Sequence, residues 1–370
     1  MKKALTFVVI TILAASLLAG CATKTPPATT TPPATTTPPA TTASNIAKVG
    51  LGHITSIAKS TDLGTKDGKD VLPMGQVDTI IAAVAFDKDG KVVSVTIDNA
   101  QTKVEFNKDL TLKTDTKVEG QTKVELGDKY GLKAASGIKK EWFEQIAELE
   151  KWMKGKTVAD IKAMKTVKKD DAHPAVPDVA ELKSSVTVSV EGYIAAVEEA
   201  SKNAVEVKGA EKVGLGHKVS TASSKALGKD AAGKEVLPLA QVDTTMSLVA
   251  FDKDGKVVKA LIDNAQTKIN FDNKGKVTSD KTVAPQTKVE LKDKYGMLAA
   301  STIKKEWYQQ AEALGKWMEG KTVADIKAMK TVKRDDAHPN VPDVAELKSS
   351  VSITVQDYLA AVEEASKKAK

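Results

Sequence analysis

The sequence predicts an α+β fold that occurs twice, each copy a small antiparallel sheet with helices packed on it. The stretch from Val49 to about Asn203 returns from Val213 to the C-terminus, shifted by about 165 positions. Within each copy, strand-like segments come first and helix-like segments follow, which is the order of an α+β domain. We therefore expect repeat 1 at 49–203 and repeat 2 at 213–370, joined by a linker at 204–212.

The duplication is visible in four segments that return unchanged. They are VAFDKDGKVV (84–93 and 249–258), IDNAQTK (97–103 and 262–268), QTKVEL (121–126 and 286–291) and GKTVADIKAMKTVK (155–168 and 320–333). Polar residues retained in both copies are candidates for a site that exists twice.

Residues 1–20 have the pattern of a lipoprotein signal peptide. Lys2 and Lys3 precede an apolar segment, and Leu18-Ala19-Gly20-Cys21 forms a bacterial lipobox. Cys21 is then the lipidated first residue, which predicts a protein anchored at the extracytoplasmic face of the cell membrane. Because Cys21 is the only cysteine, disulfides, cysteine zinc sites, cysteine nucleophiles and iron–sulfur clusters are excluded.

Residues 21–48 read as a stalk, with six-residue repeats of Thr, Pro and Ala at 25–42. Proline removes backbone donors, so this segment predicts an extended spacer that reaches roughly 55 Å. The chain has 55 basic and 48 acidic residues, a net charge of +7. No basic run is interleaved with aromatic residues, which excludes a nucleic-acid-binding function.

The first half of each repeat reads as strands. Thr79 to Phe86 and Val92 to Ile97 flank the turn at 87–90 and predict a β-hairpin. Further strands are expected at 103–106, 110–113 and 122–126. The turn resembles the start of an EF-hand loop, but its glycine comes too early and no Glu closes it, so calcium is not expected.

The second half of each repeat reads as helices. Trp142, Ile146, Leu149 and Met153 share one helix face, and the spacing recurs from Trp307 to Met318. Thr157 begins a further helix with a capping box. A strand is expected at 185–189 and a final amphipathic helix at 193–202.

The four histidines raise the question of a metal site. His53 and His217 follow Val-Gly-Leu-Gly, whereas His173 and His338 belong to Asp-Asp-Ala-His-Pro. The Asp-Asp-x-His cluster would suit a metal ion, but a loop held by proline and Asx turns is favoured. The Gly-Leu-Gly sequence is a weak phosphate-loop signal and more simply a flexible start of the first strand. We predict no metal site and no catalytic residues.

Two pairs of threonines are retained in both repeats. Thr102 and Thr267 end the sequence Asp-Asn-Ala-Gln-Thr, and Thr79 and Thr244 end Gln-Val-Asp-Thr. Threonine favours strands and Asp and Asn favour turns, so these residues taken alone are ordinary strand-end residues.

Several segments together resemble a known family. They are GLGH, QVDT, VAFDKDGKVVSVTIDNAQTK, IKKEW and HPxVPDVAELKSSV, behind a lipobox and a low-complexity stalk. They resemble the Gram-positive flavoprotein lipoproteins of extracellular electron transfer (PplA type). The resemblance covers residues 49–370, and the hairpin also looks like the strand–Asp-Gly–strand element of extracytosolic FMN-binding domains.

The resemblance implies an electron carrier rather than a classical enzyme. It implies two FMN groups, one in each repeat, each joined through its phosphate to a threonine by a separate FAD-dependent flavin transferase. Electrons would come from a membrane NADH dehydrogenase through the quinone pool and leave to extracellular acceptors such as ferric iron.

The attachment residues are expected among the duplicated threonines. The acceptor signature of FMN-binding domains, of the type Asp-x-x-Ser-Gly-Ala-Thr, is absent. We rank Thr102 and Thr267 first, because identical residues that include Asp98 and Asp263 surround them. The pair formed by Thr79 and Thr244 ranks second.

Other residues would assist a bound flavin. Trp142 or Trp307 would stack on the ring, although their spacing equally indicates core positions, and Lys103 and Lys268 would balance the phosphate charge. The alternative function is a non-redox cell-wall or solute-binding lipoprotein with duplicated binding modules. The aromatic content of 4% disfavours carbohydrate as its ligand.

Overall fold

The computed structural model describes residues 45–370, which belong to one compact unit. The predicted signal peptide, Cys21 and most of the predicted stalk lie outside the described residues. The fold is mixed α and β with antiparallel sheets, as predicted, but the two repeats are not separate compact units. No helix in the described part of the chain is long and apolar enough to cross a membrane.

Repeat 1 begins with its long strands and ends with its long helices. Its elements are β1 (Lys48–Ser56), β2 (Gly64–Lys66), β3 (Lys69–Val71), β4 (Met74–Phe86), β5 (Val92–Glu105), α1 (Lys123–Leu126), α2 (Leu132–Ala135), α3 (Trp142–Met153), α4 (Val158–Lys162), β6 (Thr166–Val167), β7 (Val176–Pro177) and α5 (Glu191–Lys202). The short strand β8 (Val205–Glu206) follows, inside the predicted linker.

Repeat 2 has nearly the same order of elements. They are β9 (Lys212–Ser220), β10 (Gly228–Lys229), β11 (Glu235–Val236), β12 (Leu239–Phe251), β13 (Val257–Asn270), α6 (Lys288–Leu291), α7 (Trp307–Met318), α8 (Val323–Lys327), β14 (Thr331–Val332), β15 (Val341–Pro342) and α9 (Gln356–Lys368). A single 3₁₀ turn follows each of α1 and α6, at Gly127–Tyr130 and Lys292–Tyr295.

Each repeat contributes one main sheet, with strand order β5-β4-β1-β8 in repeat 1 and β13-β12-β9 in repeat 2. The predicted hairpin is confirmed, but β4 and β5 extend well beyond it, to Met74 and Glu105. The predicted strand at 103–106 is therefore the end of β5. Within the predicted linker, β8 pairs with β1 and adds an edge strand to this sheet.

Helices cover the outer face of each sheet. In repeat 1, α5 packs on β1 and β4, and α3 packs on β5; in repeat 2, α9 packs on β9 and β12, and α7 packs on β13. The predicted helix face is confirmed, since Trp142, Ile146, Leu149 and Met153 all lie in the outer core of repeat 1. Each repeat therefore closes its own outer core between helices and sheet.

The inner faces of the two sheets pack against each other. Two hydrophobic clusters lie there, and each takes residues from both repeats. Phe106 and Phe271, which occupy the same position in the two repeats, meet edge to face with ring centroids 5.2 Å apart. A residue that meets its own counterpart indicates a two-fold arrangement of the repeats. The chain is thus layered as helices, sheet, sheet and helices.

The Gly-Leu-Gly sequence lies inside the first strand of each repeat, where a flexible start was expected. A Cβ atom on Gly50 would lie 1.8 Å from the carbonyl oxygen of Ala200, and one on Gly52 would lie 2.1 Å from that of Ala196. The absence of side chains therefore lets α5 approach the backbone of β1. The glycines serve close helix–sheet packing, and the interpretation as a flexible segment is wrong.

Three further strand predictions fail for local reasons. Residues 123–126 form a helix, because Thr122 and Glu125 make a capping box that outweighs the apparent alternation. Residues 110–113 contribute only one isolated bridge, between Phe106 and Leu112. Residues 185–189 are an irregular segment that leads into α5.

Candidate functional site

The four threonines proposed as flavin attachment points lie within the long strands. Thr102 pairs with Val77 across the β4–β5 ladder, and Thr79 pairs with Ala100. Alternation along the strands directs all of these residues to the inner face between the sheets, where Val77 and Ala100 are core residues. The four threonines of the two repeats are 0% to 8% exposed.

The hydroxyl groups of these threonines are poorly satisfied. Among the described residues, the Oγ1 atoms of Thr102, Thr244 and Thr267 are buried without a hydrogen-bond partner. The Oγ1 atom of Thr79 lies 3.3 Å from that of Thr55. Attachment of a flavin at these positions would require the sheets to separate, and their role as attachment residues stays a prediction.

Asp98 forms part of a buried cluster that joins the repeats. Its Oδ2 atom lies 3.0 Å from Nε2 of His217 and accepts a 2.7 Å hydrogen bond from the hydroxyl group of Thr122. Glu364 of α9 and Glu125 of α1 also face the imidazole. Burial opposes ionisation of Asp98, but the hydrogen bond and the charge of His217 outweigh it and hold the pKa of Asp98 below its usual range.

Asp263 occupies the reciprocal cluster around His53. The Nε2 atom of His53 lies 3.3 Å from Oε1 of Glu199 and 3.5 Å from Oε2 of Glu290. Here burial dominates and raises the pKa of Asp263. In each cluster a histidine of one repeat meets an aspartate and a glutamate of the other, an arrangement that the sequence repeats did not reveal.

The other two histidines lie in surface loops. Nδ1 of His173 is 2.7 Å from Oδ1 of Asp170, and His338 makes the same contact with Asp335. Ala172 and Ala337 donate their backbone N–H groups to the same carboxylates. These contacts are those of the Asx-type loop that was favoured over a metal site.

Repeat 2 contains a cavity of about 280 Å³ between α6, α7 and the start of α9. Its walls combine aromatic rings, cationic side chains and hydroxyl groups. The residues that line it include Lys288, Tyr295, Trp307, Arg334, Ser352 and Tyr358. A cavity with apolar walls and a few convergent polar groups is typical of a small-molecule site.

The ammonium group of Lys288 lies among the rings of this cavity. It is 5.1 Å from the ring centroid of Tyr295 and 5.3 Å from that of Trp307. Within residues 45–370 it forms no salt bridge, and burial lowers its pKa although the charges of Asp243 and Asp263 act in the opposite direction. An anionic group in the cavity would therefore restore a favourable environment for this cation.

The same group of side chains exists in repeat 1. Lys123 lies 4.9 Å from the ring centroid of Tyr130 and 5.3 Å from that of Trp142, and burial lowers its pKa to about 8. Trp142 Nε1 donates a 2.8 Å hydrogen bond to the hydroxyl group of Tyr193. Trp307 and Tyr358 repeat this contact at 3.2 Å.

A hydroxyl-bearing residue precedes the last helix of each repeat at the same position. Thr187 and Ser352 each place a hydroxyl oxygen 3.3 Å from Oε1 of a buried glutamine, Gln145 and Gln310 respectively. Ser352 lines the cavity of repeat 2. The predicted phosphate partners Lys103 and Lys268, by contrast, are exposed residues on β5 and β13 and do not line this cavity.

Sequence reasoning missed Lys123 and Lys288 because their segment was read as a strand. The signal was present, since QTKVEL is identical in the two copies and its lysine is therefore retained in both. The tryptophans were placed on the correct helix face, where they are both core residues and neighbours of these lysines.

Comparison of the chain with protein-family models, with curated proteins and with solved structures found no match. The proposal below therefore depends on the residues of this chain and their geometry.

Proposed function

We propose that the protein carries covalently bound FMN and passes electrons from the membrane to extracellular acceptors. The observation that carries this proposal is the buried ammonium of Lys288, which faces aromatic rings in a cavity and forms no salt bridge in the described part of the chain. FMN combines a flat aromatic ring, which would stack on the aromatic side chains, with an anionic phosphate, which would pair with the ammonium group. The equivalent residues around Lys123 support a second flavin in repeat 1.

The size of the cavity limits how FMN would bind. Ligand sites typically enclose about 300–1,000 Å³, so a cavity of about 280 Å³ would hold only part of an FMN molecule. A ring that is held on one side and exposed on the other suits exchange of electrons with partners. FMN bound there would supply the redox chemistry, and the protein would supply position and charge.

The attachment points proposed here differ from the strand threonines. Thr187 and Ser352 occupy equivalent positions before the last helix of each repeat, and Ser352 lines the cavity. Thr102 and Thr267 are buried between the sheets. Ser352 is itself only 7% exposed, but it borders a cavity and not a closed interface between sheets, so Ser352 and its equivalent Thr187 are the preferred acceptors.

The rest of the proposed pathway follows from the predicted anchor. A lipid on Cys21 and an extended stalk would hold both repeats at the extracytoplasmic face of the membrane, within reach of a quinone-linked NADH dehydrogenase. In this proposal the repeats are two homologous flavin domains. Ferric iron is a candidate acceptor, and an FAD-dependent transferase would attach both cofactors.

The test is coexpression with such a flavin transferase, followed by absorption spectroscopy and peptide mapping by mass spectrometry. We expect a yellow protein with FMN on the peptides that contain Thr187 and Ser352. Thr187→Val should remove one addition, whereas the matched variant Thr102→Val should remove none. A colourless, unmodified protein would contradict the proposal and favour the binding-module alternative. Loss of FMN only in Thr102→Val would show that the strand threonines are the attachment residues.

A further inference from the structure

The two histidine–carboxylate clusters between the repeats differ in the cations that accompany them, although the sequences around the histidines are similar. The cluster of His217, Glu364 and Asp98 contains a cation, because the ammonium of Lys368 contacts Glu364. The position of Lys368 in repeat 1 is held by Asn203, whose amide donates to the backbone oxygen of Leu51.

A second substitution acts in the same direction. Lys218, which follows His217 on β9, forms a 2.8 Å salt bridge with Glu119. The corresponding residue after His53 is Ile54, which packs into the outer core of repeat 1. The cluster of His53 therefore has neither of the two lysines that accompany the cluster of His217.

His53 itself is unsatisfied. Its side chain is 4% exposed, and among the described residues neither ring nitrogen has a hydrogen-bond partner. His217, in contrast, pairs through Nε2 with Oδ2 of Asp98. Glu199 and Glu290 lie within ion-pair distance, but a buried imidazole that makes no hydrogen bond costs free energy unless a further group joins the cluster.

The distances around His53 fit a metal ion. Its Nε2 atom is 3.3 Å from Oε1 of Glu199 and 3.5 Å from Oε2 of Glu290. In a tetrahedral zinc site with ligands at about 2.0–2.1 Å, neighbouring ligand atoms lie about 3.3–3.4 Å apart. All three ligand atoms lie within 4.8 Å of one another, and the Glu290 side chain is 35% exposed, which leaves a route for an ion and a water molecule.

The geometry points to a divalent-cation site formed by His53, Glu199 and Glu290, with Zn²⁺ the ion that best fits its donors. One imidazole nitrogen and two carboxylates suit a transition metal better than Ca²⁺ or Mg²⁺, which prefer oxygen ligands alone. In the second cluster, Lys368 takes the place of the cation, so residues 45–370 bind one metal ion and not two.

This site joins the two repeats. Glu199 belongs to α5 of repeat 1, whereas Glu290 belongs to α6 of repeat 2. An ion held by both would stabilise the packing of one repeat on the other. None of the three ligands lines the cavity around Lys288, so the inference does not depend on the proposed flavin function.

The test is titration of the purified protein, without a histidine tag, with Zn²⁺ by isothermal calorimetry. We expect one equivalent to bind and the thermal unfolding temperature to rise with Zn²⁺ concentration. Glu199→Gln should weaken binding at least 10-fold. The matched control Glu198→Gln, one residue away on α5 and paired with Lys162 outside the cluster, should not change it.

Two exchanges between the repeats complete the experiment. Asn203→Lys, a change at an exposed position, should abolish Zn²⁺ binding because it supplies the ammonium found in repeat 2. The double variant Lys218→Ile/Lys368→Asn should gain a second, weaker equivalent. Absence of saturable Zn²⁺ binding, or binding that Glu199→Gln and Asn203→Lys leave unchanged, would overturn the inference. A double variant that still binds one equivalent would overturn the role assigned to Lys368.

Discussion

Nε2 of His217 lies 3.0 Å from Oδ2 of Asp98, which pairs a buried imidazole of repeat 2 with a buried carboxylate of repeat 1. The two residues are 119 positions apart in the chain. Because each side chain is almost fully buried, loss of one would leave the other charged and without its partner. This contact therefore links the stability of the repeats to pH.

The first prediction concerns His217→Gln. We expect the free energy of unfolding at pH 5.5 to fall by ~3–5 kcal/mol, which is the usual cost of breaking a buried ion pair. Urea unfolding at several pH values measures this difference. The control His173→Gln removes an exposed pair with Asp170 and should change the stability by less than ~1 kcal/mol.

The pH dependence follows from the directions of the two pKa shifts. Burial opposes protonation of His217, but Asp98 outweighs it and raises the pKa of His217 above 6.5. Its contribution to stability is complete below pH 6.5 and is lost as pH rises through the folded pKa. Asp98, with its pKa below 3.8, contributes above pH 3.8 and less as pH falls further. A deficit of His217→Gln that is as large at pH 9 as at pH 5.5 would contradict this assignment.

The second prediction tests the close approach of helix and sheet. A Cβ atom on Gly52 would lie 2.1 Å from the oxygen of Ala196 and 2.4 Å from the nitrogen of Ala200, and neither backbone atom can move alone. We expect Gly52→Ala to lower the free energy of unfolding by ~3 kcal/mol or more, at the upper end of overpacking effects. Gly64→Ala, with no atom within 4 Å of the new carbon, should change it by ~0.5 kcal/mol at most. Equal effects in urea unfolding would refute the packing role.

The long elements could be predicted because their patterns are local. The hairpin of β4 and β5 shows alternation around an Asp-Gly turn, and the face of α3 shows helical spacing from Trp142 to Met153. The helix α1 was missed because four residues are too few for a helical period. Its capping box, formed by Thr122 and Glu125, was the only local signal.

The sites could not be predicted because their residues come from distant segments. Asp98 was singled out as a retained acid, but its partner His217 belongs to the other repeat, and no spacing within one copy indicates that contact. The cavity draws Lys288, Trp307 and Ser352 from separate segments. The threonines are retained in both repeats because they lie on the inner faces of the sheets, which pack against each other and are present once in each repeat.

The third prediction concerns the buried ammonium of Lys123. Burial lowers its pKa from 10.5 to about 8, so the folded protein at pH 7 holds a charge that the unfolded chain would accommodate more easily. We expect Lys123→Met to raise the free energy of unfolding at pH 7 by ~1–3 kcal/mol and to weaken binding of an anionic flavin. The control Lys129→Met, at an exposed position, should do neither.

The sign of this effect can be checked by pH. Because the folded pKa of Lys123 is lower than the unfolded value, the unfolded chain binds more protons between about pH 8 and 10.5. The stability contributed by this residue therefore rises with pH across that range, and the advantage of Lys123→Met should shrink. An advantage that grows from pH 8 to 10 in urea unfolding would show that Lys123 is stabilised in the folded protein.

The fourth prediction is that the two repeats unfold together. Phe106 and Phe271 contact each other between the sheets, inside a core to which both repeats contribute. We expect a single calorimetric transition for the protein, and for Phe271→Ala a single transition whose stability is ~3–5 kcal/mol lower. Val283→Ala, at a position 61% exposed, is the control and should leave the transition unchanged. The contradicting outcome is a Phe271→Ala protein that unfolds in two transitions, with repeat 1 at its original midpoint. A repeat with an independent core is not destabilised when its neighbour loses a side chain, so this result would show that the shared core does not couple the repeats.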